Sequence, residues 1–228
     1  MSKAHAFVDD LGAPVLSVDD RHHLERVLRL RAGEELTVSD GRGGWRACRF
    51  GPELEPISAI AVDPAPEPPL ALGFALVKGD KPEWVVQKLT ELGVDRIVPF
   101  VAARSVVRWD DERSARAHER LTHIARQAAM QSRRTWLPTV EPVGAFALLA
   151  GAPGTALCER GGEPPTLATP TVLVGPEGGW APEELASAHS TVTLGVTVLR
   201  AETAAVAAGA LLAGLRAGVV VASATLSD

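Results

Sequence analysis

The 228 residues include only two cysteines, Cys48 and Cys158, far apart and without paired spacing. That spacing suggests neither a zinc site nor a disulfide framework, so no metal is expected and a reducing, cytoplasmic setting fits. The opening MSKAHAFVDD lacks an apolar run long enough for a signal peptide. The stretch from Ala204 to Leu215 is short, dominated by Ala and Gly, and ended by Arg216, so it reads as a buried helix and no membrane is expected. No GxxxxGK[ST] phosphate loop occurs, and no internal repeat. Excess positive charge is also missing: the formal net charge is -5, which counts against a simple nucleic-acid-binding module.

The basic residues that do occur are segregated. From Arg104 to Arg134 there are eight Arg and no Lys, against four acidic residues. A second cluster, Arg21, Arg26, Arg29 and Arg31, meets only Glu25. Arg clusters are commonly solvated faces or ion-pair networks, but Arg-only usage points to phosphate, whose geometry the guanidinium fork matches.

Hydrophobic residues make up 46% of the chain, enough for a real core. Five prolines between Pro56 and Pro69 mark a linker, because proline at that density continues neither a helix nor a central strand. The reading is therefore two domains, 1–70 and 71–228. In the first, short runs such as Leu36-Thr37-Val38 and Ala59-Ile60-Ala61-Val62 alternate with turn signals, the pattern of a small β-barrel. His22 to Leu30 reads as a helix with Leu24, Val27 and Leu28 on one face. In the second, strands (LALGFALV, DRIVPFVA, TVLVGP, VTLG) alternate with helices over Lys81–Leu92, Glu119–Ser132, Pro182–Ala188 and Thr203–Leu215. Alternation of this kind predicts an α/β fold with a parallel sheet and ligands at the carboxyl ends of its strands.

Two glycine-bearing loops carry the chemistry. In the first, the strand Val172-Leu173-Val174 enters Gly175-Pro176-Glu177-Gly178-Gly179. The plain reading is a tight strand-to-helix turn; the functional one is a close backbone approach to a ligand. Glu177 would repel phosphate, so a neutral or cationic ligand suits the turn. In the second, Leu194-Gly195 leads through Val198, Leu199, Arg200 and Glu202 to a helix capped by Thr203. Arg200 and Glu202 could form a structural ion pair, yet two such loops after consecutive strands suggest one shared pocket.

VGPEGGWAPEE followed by LGVTVLRAETAA resembles the RsmE family, SPOUT-class enzymes that methylate N3 of a uridine in small-subunit ribosomal RNA. HHLERVLRLRAGEELTVSDGRG is similar to that family's PUA-like N-terminal domain, KPEWVVQKLTELGVDRIVPFVAARSVV to the opening of its catalytic domain, and RQAAMQSRR to the end of its central helix. The motifs stand in family order over about residues 20 to 210. The resemblance implies S-adenosylmethionine as cofactor, a deep C-terminal trefoil knot, and a homodimer with its active site near the subunit interface. It implies a cofactor pocket from Leu173, Gly175, Pro176, Glu177, Gly178, Gly179, Leu194, Gly195, Val198 and Leu199, flanked by Thr203 and Ala204. Gly178→Val is then expected to abolish cofactor binding, by filling the pocket and disfavouring positive φ. The chain departs from the family at Thr197, where Arg is common, at Met130 (Glu), at Arg134 (Gly) and at Ala181 (Ser).

Methylating uracil N3 requires loss of its proton and stabilisation of charge on O2 and O4. Arg133 and Arg200 are the expected donors, and Glu202 is either the base or the residue that orients Arg200. No histidine lies in the two glycine loops or in RQAAMQSRR, so a histidine base is not expected. For RNA capture the expected residues are Arg21, His23, Arg26, Arg29 and Arg31, with Arg104 and Arg108 from the second cluster. Two rival readings remain: a catalytically silent RNA-binding or ribosome-assembly factor, and a SPOUT enzyme acting on tRNA ribose.

Overall fold

The computed structural model describes residues 4–221, which divide into two compact units. The first comprises residues up to Pro66 together with Arg126–Leu137; the second comprises Glu67–Ala125 and the chain from Pro138 onward. The break falls in the proline-rich stretch, but 126–137, which a linear reading leaves with the second domain, belongs to the first.

In the first unit, β1 (Ala4–Phe7) pairs parallel with β2 (Glu35–Ser39), and β2 pairs antiparallel with β3 (Gly44–Arg49). The short β4 (Glu55–Pro56) and β5 (Ala61–Val62) both pair with β3. Ala6, Leu36, Val38 and Cys48 are fully buried, and Ala129 and Met130 pack in the same core. At Met130 an apolar side chain suits that core where Glu would not.

The helix expected over 22–30 forms differently. Helix α1 (Val18–His22), capped by Ser17, is continued by a π-turn over His23–Val27. Its Leu28 N–H donates to the His23 carbonyl (3.1 Å), five residues back. The wider winding turns Val27 and Leu28 off the Leu24 face: Leu24 is 0% exposed, Val27 63% and Leu28 49%.

His5 is the most perturbed imidazole of this unit. Burial lowers its pKa from 6.5 to about 4, with the Arg133 charge adding to the shift and a backbone hydrogen bond at Arg134 opposing it. Its Nδ1 lies 2.8 Å from the Thr37 hydroxyl. The unfolded chain takes up this proton near pH 6.5 and the folded one only near pH 4, so stability is lost as pH falls through that window. At 1.36 kcal/mol per unit the loss is about 3 kcal/mol. Urea unfolding at pH 7 and pH 4 should show it, and His5→Gln should flatten the acid limb; an unchanged limb in the variant refutes the assignment.

The second unit is an α/β layer built on a seven-stranded sheet. Its strands are β6 (Ala71–Ala75), β7 (Arg96–Val101), β8 (Thr139–Val140), β9 (Gly144–Ala145), β10 (Thr155–Glu163), β11 (Thr171–Val174) and β12 (Thr191–Val192). The order is β12-β10-β11-β6-β7-β8, with β9 beside β7, and every recorded pairing is parallel. Strands covered on both faces read as continuous apolar runs, which is why LALGF and TVLV were legible. Leu72, Phe74, Val172 and Val174 pack with helices α2 (Lys81–Leu92) and α6 (Ala201–Arg216), whereas Ala75, Phe100 and Leu173 pack with Phe146 and Trp180. The remaining helices are α3 (Asp111–Ser132), α4 (Phe146–Ala150) and α5 (Pro182–Ala186).

Helix α6 is pinned at both ends. Lys81 Nζ lies 2.9 Å from Glu202 Oε1 near its start. At its end Arg216 pairs with Asp95 and donates to the carbonyls of Gly93 (2.6 Å) and Pro68 (3.2 Å). It begins at Ala201 with Arg200 at the N-cap, and Thr203, expected to cap it, is exposed inside its first turn.

Candidate functional site

Both glycine loops sit at the carboxyl edge of the parallel sheet, one after β11 and one after β12. Between them lies a cavity of about 190 Å³. Strand β10 supplies its third wall. Cys158 is in register with Val174, the last residue of β11, so the chain from Glu159 runs on past the sheet edge. That extension puts Cys158, Glu159 and Arg160 on the cavity. Burial, with the Glu159 charge adding, pushes the Cys158 thiol up to about 11, so it stays protonated and is not a nucleophile.

The first loop is shaped by Trp180. Its ring stacks on Phe100 (6.1 Å between centroids, 4° between planes), and its Nε1 donates to the Cys158 carbonyl at 2.9 Å. A Cβ on Gly175 would come within 2.9 Å of that indole, so only glycine lets the strand end lie against it. The left-handed residue of the loop is Gly179, at φ 70. Gly178, to which positive φ was ascribed, is not among the positive-φ residues, and a Cβ there would meet the Arg104 side chain at 3.4 Å. Arg104 Nη1 donates to the Gly178 carbonyl (3.2 Å). Glu184, buried, accepts from the N–H of Ala181 and of Ala103, each at 2.8 Å. It thereby supplies the glutamate half of a capping box at the start of α5, and the half that a Ser hydroxyl would give to the Glu184 N–H is missing at Ala181.

The second loop, Thr193–Arg200, is largely exposed, with Val198 78% accessible. The Arg200 carbonyl accepts from Ala204 N–H at 2.8 Å, and its side chain is exposed, with no ion pair among the described residues. Glu202 pairs with Lys81, not with Arg200. Burial pushes its carboxyl up, but the Lys81 hydrogen bond and charge, a backbone N–H and the Arg200 charge outweigh this and hold it below the ordinary range. Its Oε2 is buried without a hydrogen-bond partner.

The RNA methyltransferase domain family matches residues 64–213, and the RNA methyltransferase PUA domain family matches residues 16–55. Over 229 aligned residues the chain is 35% identical to the ribosomal RNA small subunit methyltransferase E of Mycobacterium bovis, covering 89% of this chain and 87% of that one. The chain belongs to the ribosomal RNA small subunit methyltransferase E family. The crystal structure of that family's protein from Neisseria gonorrhoeae, bound to S-adenosyl methionine, superposes with a TM-score of 0.74 at 27% identity, covering 91% of this chain and 95% of the other. A probable rRNA-methyltransferase from Porphyromonas gingivalis superposes at 0.77 and 26% identity, covering 95% and 99%. The RsmE resemblance read from the motifs is thus borne out.

Of the residues that the family resemblance assigned to the pocket, Gly175, Pro176, Glu177 and Gly179 line the cavity from the first loop, and Leu194, Gly195, Val198, Leu199 and Ala204 from the second. Three do not. Leu173 is core with no exposure, Gly178 packs against Arg104, and Thr203 is exposed in the first turn of α6 and is not part of the lining. Trp180 and the Cys158–Arg160 segment were missed. For Trp180 the signal was present, an aromatic directly after the glycine pair; for β10 it was not, because the three apolar residues Ala156, Leu157 and Cys158 run into Glu, Arg and two Gly.

Among the expected RNA contacts, Arg21 is committed to its own unit. It donates to the carbonyls of Gly51 (2.9 Å) and Pro52 (3.0 Å) and lies over Phe50. Arg26, Arg29 and Arg31 are exposed, and His23 is half-buried. Arg133 belongs to the first unit and Arg200 to the second. Two non-glycine residues have positive φ among those described, Arg29 (53) and Arg133 (58). Arg133 closes the C-terminal end of α3: its N–H donates to Met130 and that of Arg134 to Ala129. The conformation that favours glycine therefore falls at Arg133, one position before Arg134. Keeping Arg there costs about 1 kcal/mol, a strain typical of functional sites.

Proposed function

We propose that this protein transfers a methyl group from S-adenosylmethionine to N3 of a uridine in small-subunit ribosomal RNA. The observation that carries the reading is the cavity shared by the two glycine loops at the carboxyl edge of the sheet. Its lining suits the cofactor: Val174, Leu194, Val198 and Leu199 offer apolar walls for an adenine, and the glycines leave backbone N–H and C=O groups free to approach its edge. Glu159 and Glu177, on the same lining, complement a cationic ligand. When bound, the cofactor supplies a methyl group on a positively charged sulfur.

The chain's residues do the rest. Arg200, exposed beside the cavity, donates to uracil O2 or O4 as N3 loses its proton to solvent water, and Arg133 is assigned the same role. A carboxylate held below its usual range is a weak proton acceptor, so we assign Glu202 to fixing the start of α6 through Lys81. Arg26, Arg29 and Arg31 with His23 on the first unit, and Arg104 and Arg108 on the second, take RNA phosphates. The finer architecture belongs to the same reading. The first unit closes as a PUA-like barrel, and the chain through β10, β11, β12 and α6 threads a trefoil knot, supported by β10 lying between β11 and β12. Two copies form a homodimer over the partly exposed side of α6. No helix among the described residues is long and apolar enough to cross a membrane. We assign the work to the cytoplasm, the setting in which a ribosomal RNA substrate is met.

Mass spectrometry of small-subunit rRNA from cells with and without the gene tests the assignment. N3-methyluridine should be absent without the gene and restored with it; an unchanged content sinks the assignment.

A further inference from the structure

A second pocket, of about 260 Å³, opens on the same edge of the second unit. The loop after β6 contributes Lys78 and Gly79; the loop after β7 contributes Val106, Arg108 and Trp109; the first turn of α3 contributes Arg113. Three cations converge there, and none of them forms a recorded ion pair among the described residues. Of the neighbouring acids, Asp110 accepts from the Arg113 backbone N–H (2.8 Å) and Glu112 pairs with Arg116, while Asp80 and Asp111 are exposed; none of the four lines the pocket. The Arg113 guanidinium lies over the Trp109 ring, 5.6 Å from its centroid. Trp109 Nε1 is buried without an acceptor. A donor of this kind stays unsatisfied until an acceptor arrives.

The polar side chains that line the pocket are therefore all donors, an indole, two guanidinium forks and an ammonium, with no carboxylate among them. A group with several anionic oxygens in a compact array meets that demand, and the Arg fork selects phosphate geometry. The loops that form the pocket also brace the methyl-transfer cavity. Arg104 and Ala103, from the loop after β7, bond to Gly178 and Glu184, and Lys81, at the end of the loop after β6, holds Glu202. We propose that the pocket formed by Lys78, Arg108, Trp109 and Arg113 binds a phosphodiester group of the RNA substrate close to the target nucleotide. The inference rests on the functional reading above and adds a subsite to it.

The test uses the full-length protein and small-subunit rRNA purified from cells lacking the gene. Trp109→Phe keeps the ring under Arg113 and removes only the donor; Arg113→Gln removes one cation. Each should weaken RNA binding roughly 10-fold, the scale of a hydrogen bond to a charged group. S-adenosylmethionine affinity and melting temperature should hold. Arg113→Gln should also reduce the slope of log affinity against log salt by about one, whereas Trp109→Phe should leave the slope alone. Wild-type RNA affinity in both variants overturns the proposal, even if inorganic phosphate still binds, since that marks a site for free anion only. Wild-type protein that binds the RNA without methylating it sinks the functional reading instead and leaves the pocket standing.

Discussion

Replacing Arg200 with alanine is expected to lower the single-turnover rate of methyl transfer about one hundredfold, the usual scale for losing one donor to developing charge. Affinity for S-adenosylmethionine should hardly change. The backbone carbonyl of residue 200 still accepts from Ala204, and Glu202 is held by Lys81 whatever occupies position 200. Raising the pH should partly rescue the variant, because more uracil is then deprotonated without help. A merely structural Arg200 predicts the opposite pattern: weaker cofactor binding, a lower melting temperature and no rescue. Its side chain has no ion pair to lose among the described residues, so the two outcomes separate. Loss of cofactor affinity alone would remove Arg200 from the chemistry.

The second large effect is expected at Gly179. A valine there must hold a β-branched side chain at φ 70, a strain of about 1–3 kcal/mol. The loop relieves it by moving, and the cavity wall moves with it. Cofactor affinity should fall roughly 10- to 100-fold at 1.4 kcal/mol per decade, with circular dichroism showing a folded protein. Gly178→Ala is the control. Its new Cβ meets Arg104 at 3.4 Å, an ordinary contact, and cofactor binding should survive. Titration calorimetry on the pair decides the matter. Equal affinities in Gly179→Val and wild type would mean that the turn does not hold the cofactor.

The bounds of the first unit change what truncation can test. A chain beginning at residue 70 would strip Ala129 and Met130 of the core in which they are buried. Lost RNA binding by such a chain would therefore mix missing contacts with newly exposed apolar surface.

Local chemistry and period made much of this protein legible from its sequence. Helix α2 stands at Lys81–Leu92 as the apolar spacing and the following Gly93 indicate, and both glycine loops follow strands and line one cavity. The ordered motifs were sufficient to place the chain in its family. What sequence could not supply were relations between distant segments. The path of β10 past the end of β11 depends on strand register, which no short stretch encodes. The partner of Glu202 is Lys81, 121 positions away, and not its neighbour Arg200. Arg21 and Arg26 look equivalent in the sequence, yet Arg21 reaches the carbonyls of Gly51 and Pro52 while Arg26 stays in solvent. Gly178 and Gly179 are identical letters, and only the packing against Arg104 and the turn back to Trp180 decides which one takes the left-handed conformation. Residue type limits what a position can do; which partner it meets is fixed when the chain closes on itself.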